Sequence, residues 1–172
     1  QMRCAAALCK LAATPKNVPL MLSEGVVPAF IDMLKTEDPG IVKHCCSALC
    51  SLAHEGSSCV MITEGAVPFI INGAHTGDAT TQQACCAVLS IISSHEQCRR
   101  KLCDMGALPA LIKLAQMNDM KTRLRCAVAF ANLSFEGTIQ GQMVDHDIAP
   151  VIAALSSPSP TVEEKISLDR NF

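Results

Sequence analysis

The chain has 172 residues, 49% hydrophobic but only 3% aromatic, with neither Trp nor Tyr. Its core therefore rests on Ala, Leu, Ile, Val, Met and Cys, which favours closely spaced helices over a β-sandwich. A formal charge of -2, from 14 basic and 16 acidic residues, lacks the positive excess and stacking aromatics of a nucleic-acid binder, and no run approaches the about 18 apolar residues of a membrane helix.

In chain order, CAAALCKLA (4–12) opens as a helix with an apolar stripe. NVPLMLSE (17–24) reads as a short amphipathic helix, then a corner at Gly25–Val26–Val27–Pro28, then a second short helix in PAFIDML (28–34). Glycine just past a helix end takes the left-handed conformation that closes the last turn. Proline in the first turn of the next helix loses no hydrogen bond there. The two helices must therefore cross at an angle. Asp38–Pro39 offers a cap, and CCSALCSLA (45–53) follows as a longer helix.

The same series then returns. SSCVMITE (57–64), EGAVP (64–68), PFIINGA (68–74), a break at Asp78 and CCAVLSIIS (85–93) repeat it once. EQCRRKLCDM (96–105), MGALP (105–109), PALIKLA (109–115), a break at Asn118–Asp119 and CAVAFANLS (126–134) repeat it again. TIQGQMVDH (138–146) and PVIAAL (150–155) begin a further round in which Asp147 stands where the corner glycine belongs. The corner prolines Pro28, Pro68, Pro109 and Pro150 are 40, 41 and 41 residues apart.

Overlaid, the longer helices place Cys4, Cys45, Cys85 and Cys126 in one slot. Leu8, Leu49, Leu89 and Phe130 share a second, and Leu11, Leu52, Ile92 and Leu133 a third. The i, i+4, i+7 spacing makes one buried stripe. Three-helix units of about 40 residues stacked in series are implied, each covering the apolar face of its neighbour. The expected units are 1–14 (the third helix of a truncated repeat), 17–54, 57–95, 96–135, and a partial, degenerate unit at 138–172. The pattern fades after Leu155, and the whole reads as a window from a longer array. Uncapped ends of such a fragment would favour self-association.

All this resembles the armadillo repeat, on G-x-x-P at the first corner and C/A-x-x-A-L-x-x-L about 17 residues later. The resemblance covers residues 1 to about 155 and implies an all-α fold, a right-handed α-solenoid whose third helices line a concave groove. It further implies a non-enzymatic scaffold or adaptor that holds an extended peptide or partner helix. In ligand-gripping relatives an asparagine on the third helix bonds the peptide backbone. Asn132 occupies that position here, with Lys10, Ser51 and Ile91 in the other copies. The tryptophan position one turn earlier holds Ala6, Ser47, Ala87 and Val128, so the alternative of a karyopherin-like nuclear import cargo adaptor loses its stacking ladder. A turn further back the same face carries Arg3, His44, Ala84 and Arg125. These basic residues, together with Lys10, suit a segment with acidic side chains.

Eleven cysteines within helical segments read as thiols of a reducing, cytoplasmic setting. A structural zinc site pairs two close Cys or His couples, and that paired spacing is missing. No metal, cofactor or nucleic-acid partner is expected. A cysteine-dependent enzyme or redox sensor is the remaining alternative, with His54 or His95 beside a thiol. It requires one thiol far more reactive than the rest.

Overall fold

The computed structural model describes residues 2–36, 38–53 and 55–156. His54 and the segment beyond Ser156, on which part of the expected last unit falls, lie outside the described residues. Among the described residues there are twelve α-helices and one 3-10 turn, and no strand. Helix α1 is Met2–Ala12. The turn Pro15–Asn17 leads into α2 (Val18–Ser23), followed by α3 (Val26–Leu34) and α4 (Pro39–Leu52). The next triplet is α5 (Glu55–Thr63), α6 (Ala66–Thr76) and α7 (Ala79–Ser94). Then come α8 (Glu96–Asp104), α9 (Ala107–Ala115) and α10 (Met120–Leu133), and last α11 (Gly137–Asp145) and α12 (Ala149–Ser156).

The corners follow from the backbone. Gly25, Gly65 and Gly106 have φ of 69°, 81° and 89°, all left-handed. A Cβ at any of the three would meet nothing within 4 Å, so the requirement is conformational and not one of space. The N–H of Gly106 donates to the Cys103 carbonyl at 2.8 Å, which ends α8 while α9 leaves in a new direction. At the first corner the chain turns through 88° between Pro15–Ser23 and Val26–Leu34. Asp147 keeps the same geometry at the fourth corner with φ 49°, and its N–H donates to Val144 at 2.9 Å.

The long helices start on aspartates. Carboxylates of Asp38, Asp78 and Asp119 accept from the backbone N–H of Ile41, Thr81 and Thr122 at 3.0, 2.7 and 2.8 Å. Each satisfies a donor that the first helical turn would otherwise leave open. Of the two candidates at 118–119, Asp119 is the cap.

The triplets stack so that equivalent helices become neighbours. α1, α4, α7 and α10 form one layer, α3, α6, α9 and α12 another, and α5, α8 and α11 a third. The result is an all-α repeat solenoid. Cys45, Cys85 and Cys126, Leu49, Leu89 and Phe130, and Leu52, Ile92 and Leu133 are all buried, as the overlay requires. The first copy departs from it: Cys4 is exposed and Leu11 is 50% exposed. The cause is directional. The slot-one residue faces the preceding unit, as Cys85 faces Cys46 (Sγ–Sγ 3.6 Å) and Cys126 faces Cys86 (3.5 Å). No described helix covers that side of α1, which instead buries Ala5 and Ala12.

Candidate partner-binding face

With the stripes of α4, α7 and α10 buried between layers, one face of each of these helices is left over, and α1 continues it. The sequence-selected residues lie along it. Arg3, Lys10 and Ser51 are exposed, His44, Ser47, Ile91, Arg125 and Asn132 are half-buried, and Val128 is 46% exposed. Ala87 departs from the expectation. It is only 5% exposed, because α7 is flanked by both α4 and α10 and a methyl group does not reach past them.

Asn132 is held in place. Its Nδ2 donates to Ser93 Oγ at 3.3 Å, and that buried hydroxyl donates to the Ser90 carbonyl at 2.7 Å. The bond crosses from α10 to α7, so the amide is oriented by the neighbouring repeat before any ligand arrives. Ser51, at the equivalent position on α4, donates its hydroxyl to the Ser47 carbonyl at 3.3 Å.

Arg125 is a secondary influence on the groups around it. Burial raises the Cys50 thiol pKa on α4, and the Arg125 charge works against that rise. Asp119 sits below its ordinary pKa first through bonds from the Thr122 hydroxyl and N–H, with Lys121 and Arg125 adding to the effect. Among the described residues the ion pair is Lys35–Asp32, at 2.6 Å, and Arg3, Lys10, His44 and Arg125 belong to none. Arg125 is half-buried, with no carboxylate in contact among the described residues.

Two apolar residues of this face were passed over in the sequence. Leu124, one turn before Val128, is 65% exposed, and Phe135, just past the end of α10, is 77% exposed. Extending the groove positions one turn past Asn132 would have found Phe135, whereas Leu124 directly precedes Arg125 and falls outside the chosen spacing. Arg99 lies over the Phe135 ring at 5.7 Å and donates to the Ser93 and Ser94 carbonyls at 3.0 and 3.3 Å, which ties the end of α7 to the next unit.

The buried thiols differ in state: the bond shared with Cys126 moves Cys86 below the ordinary thiol pKa, whereas Cys45 and Cys103 move the other way. Burial pushes Cys45 up to about 12, with Cys9 adding to it, and pushes Cys103 up to about 11, with Asp104 adding to it. Both remain protonated at neutral pH, and a protonated thiol is a weak nucleophile. Among the described residues no three His, Cys, Asp or Glu side chains gather as a ligand set. No single described helix is long and apolar enough to cross a membrane.

The Armadillo/beta-catenin-like repeat pattern matches residues 14–54 and 95–135. These two segments are armadillo repeats. The triplet between those two matches folds like its armadillo neighbours although its sequence escapes the pattern. There Ile91–Ile92 replaces the polar-residue–Leu step of Ser51–Leu52 and Asn132–Leu133. Solved structures agree on the fold. An engineered protein is similar with a TM-score of 0.71 and 23% identity, over 90% of this chain and 62% of its own. This chain thus spans less than two thirds of that protein's length. Computationally designed armadillo repeat proteins for modular peptide recognition match with a TM-score of 0.79 and 17% identity, over 99% of this chain and 72% of theirs. A designed armadillo repeat protein in complex with the peptide (KR)4 matches with a TM-score of 0.79 and 16% identity, over 95% and 70%. At these identities the likeness concerns the fold alone. No curated protein sequence matches the chain.

Proposed function

We propose that this chain is a non-enzymatic scaffold or adaptor that binds an extended, acidic segment of a protein partner along the exposed face of α1, α4, α7 and α10. The observation that carries the reading is Arg125: half-buried, outside any ion pair among the described residues, one helical turn from Val128 and two from the tethered Asn132. A carboxylate received there would make a charge-assisted hydrogen bond, while Asn132 would bond the peptide backbone and Leu124 and Val128 would take an apolar side chain. Related designed armadillo proteins are described as made for peptide recognition, which supports the class of ligand. One of them is solved with a basic peptide, whereas Arg3, Lys10 and Arg125 here favour the opposite charge. The thiol state of the eleven cysteines fits a cytoplasmic setting.

The test is a fluorescence-anisotropy titration with two labelled peptides, one alternating Glu with Val and the other Lys with Val. The Glu peptide should bind, more weakly as salt is raised, and Arg125→Glu should lower its affinity about tenfold. Preferential capture of the Lys peptide would favour the karyopherin-like alternative instead. Equal binding of the Glu peptide by the wild type and Arg125→Glu would remove the proposed role of this face.

A further inference from the structure

Three thiol pairs bridge neighbouring repeats. Cys46 and Cys85 are 3.6 Å apart, Cys86 and Cys126 3.5 Å, and Cys59 on α5 and Cys98 on α8 3.4 Å. The four cysteines of the first two pairs have no solvent exposure, so no oxidant reaches them in the folded chain. The third pair differs in access. Cys59 is partly exposed, and both its thiol and Cys98 line a cavity of about 40 Å³ together with Gln97 and Lys101. This cavity shares Ile62, Thr63 and Lys101 with a wider hollow of about 400 Å³ that also meets Asp104. The Cys59 thiol donates to Gln97 Oε1 at 3.9 Å.

We propose that Cys59 and Cys98 are a redox modification site, closing to a reversible disulfide by exchange with a low-molecular-weight disulfide of the glutathione type. Cys59, the accessible member, loses its proton to solvent and attacks one sulfur of the small disulfide. The small S–S bond breaks, one small thiolate leaves, and a mixed disulfide forms on Cys59. Cys98, 3.4 Å away, then attacks the Cys59 sulfur, the Cys59–small-thiol bond breaks, and the proton of Cys98 passes to the departing thiolate, which leaves as the second small thiol. Two protein thiols are oxidised and one small disulfide is reduced to two thiols, so no other oxidant is required. Bond formation needs the two sulfurs to approach by about 1.4 Å, given an S–S length of about 2.0 Å. The bond ties two adjacent repeats through their first helices, and thiol reductants release it.

The experiment incubates the folded chain with oxidised glutathione, blocks the remaining thiols and cleaves after Glu and after Lys or Arg. Those cuts place Cys59 in residues 56–64 and Cys98 in residues 97–99. Mass spectrometry should find these two peptides joined, with the link removed by reductant and absent in Cys59→Ser. Cys98→Ala, which keeps a small apolar side chain in the buried site, should stop at the first step and accumulate glutathione on Cys59. The oxidised wild type should also unfold at a higher temperature than the reduced form. Absence of the joined peptide, joining between other cysteines, or a Cys98→Ala chain without glutathione on Cys59 would overturn the proposal.

Discussion

Asp147 and Gly106 occupy the same place in successive units, and both are left-handed, at φ 49° and 89°. For an L-residue that conformation costs about 1–2 kcal/mol, with Asp and Asn less penalised than most. Gly106→Ala should therefore destabilise the chain by about 1–2 kcal/mol, even though the new methyl meets open space. Asp147→Gly should stabilise it by about 1 kcal/mol or less. Urea titrations of the two variants check both signs, and a neutral Gly106→Ala would mean that the corner tolerates any residue. Ser58 offers a second residue-scale test. Its Oγ is buried and finds no hydrogen-bond partner among the described residues. Removing an unsatisfied hydroxyl relieves its desolvation cost, so Ser58→Ala should be neutral or stabilising by about 1 kcal/mol in the same assay.

At the scale of the element, the aspartate caps set the response to acid. Hydrogen bonds from Thr81 and Thr80 hold Asp78 below its ordinary pKa, and bonds from Thr122 do the same for Asp119. A folded-state pKa below the unfolded one means stability that is complete above the unfolded value of about 4 and lost as pH falls through the folded value. Denaturant midpoints should accordingly drop below about pH 4. Asp119→Asn should keep most of the cap and soften the acid slope, whereas Asp119→Ala should cost about 1 kcal/mol at pH 7. A midpoint unchanged between pH 7 and pH 3 would contradict this. These caps, the corner glycines and the buried stripes were legible in the sequence because each needs a particular residue type and recurs every 40 or 41 positions. Another recurring device was not. Asn17, Ser57, Arg99 and Gln140, each at or near the start of a first helix, donate to carbonyls at the end of the preceding long helix, at Leu11, Leu52, Ser93 and Ser134. Four different side chains do one job, so no sequence pattern marks it. Exposure of Cys4 and Leu11 was hidden for another reason: a stripe shows which residues want cover, not whether a helix supplies it.

For the whole molecule, stability is shared between neighbours. Leu89 lies fully buried on α7, between α4 and α10. Leu89→Ala should cost about 2–5 kcal/mol and, since each unit covers the next, should raise amide exchange in α4 and α10 as well as in α7. Exchange confined to α7 would mean that the repeats fold as separate bodies. The candidate face emerged only in part from the sequence. Family positions located Arg125, Val128 and Asn132, but neither the Ser93 tether nor the exposure of Leu124 and Phe135 follows from local pattern, because each depends on the packing of one repeat against another.

The most direct measurement is an NMR titration of the isotope-labelled chain with the Glu-containing peptide. Shift changes should gather on the exposed face, at Lys10, Ser51, Arg125, Val128 and Asn132, and leave α2, α5 and α8 unmoved. Changes concentrated on α2, α5 and α8, or none at saturating peptide, would contradict the account.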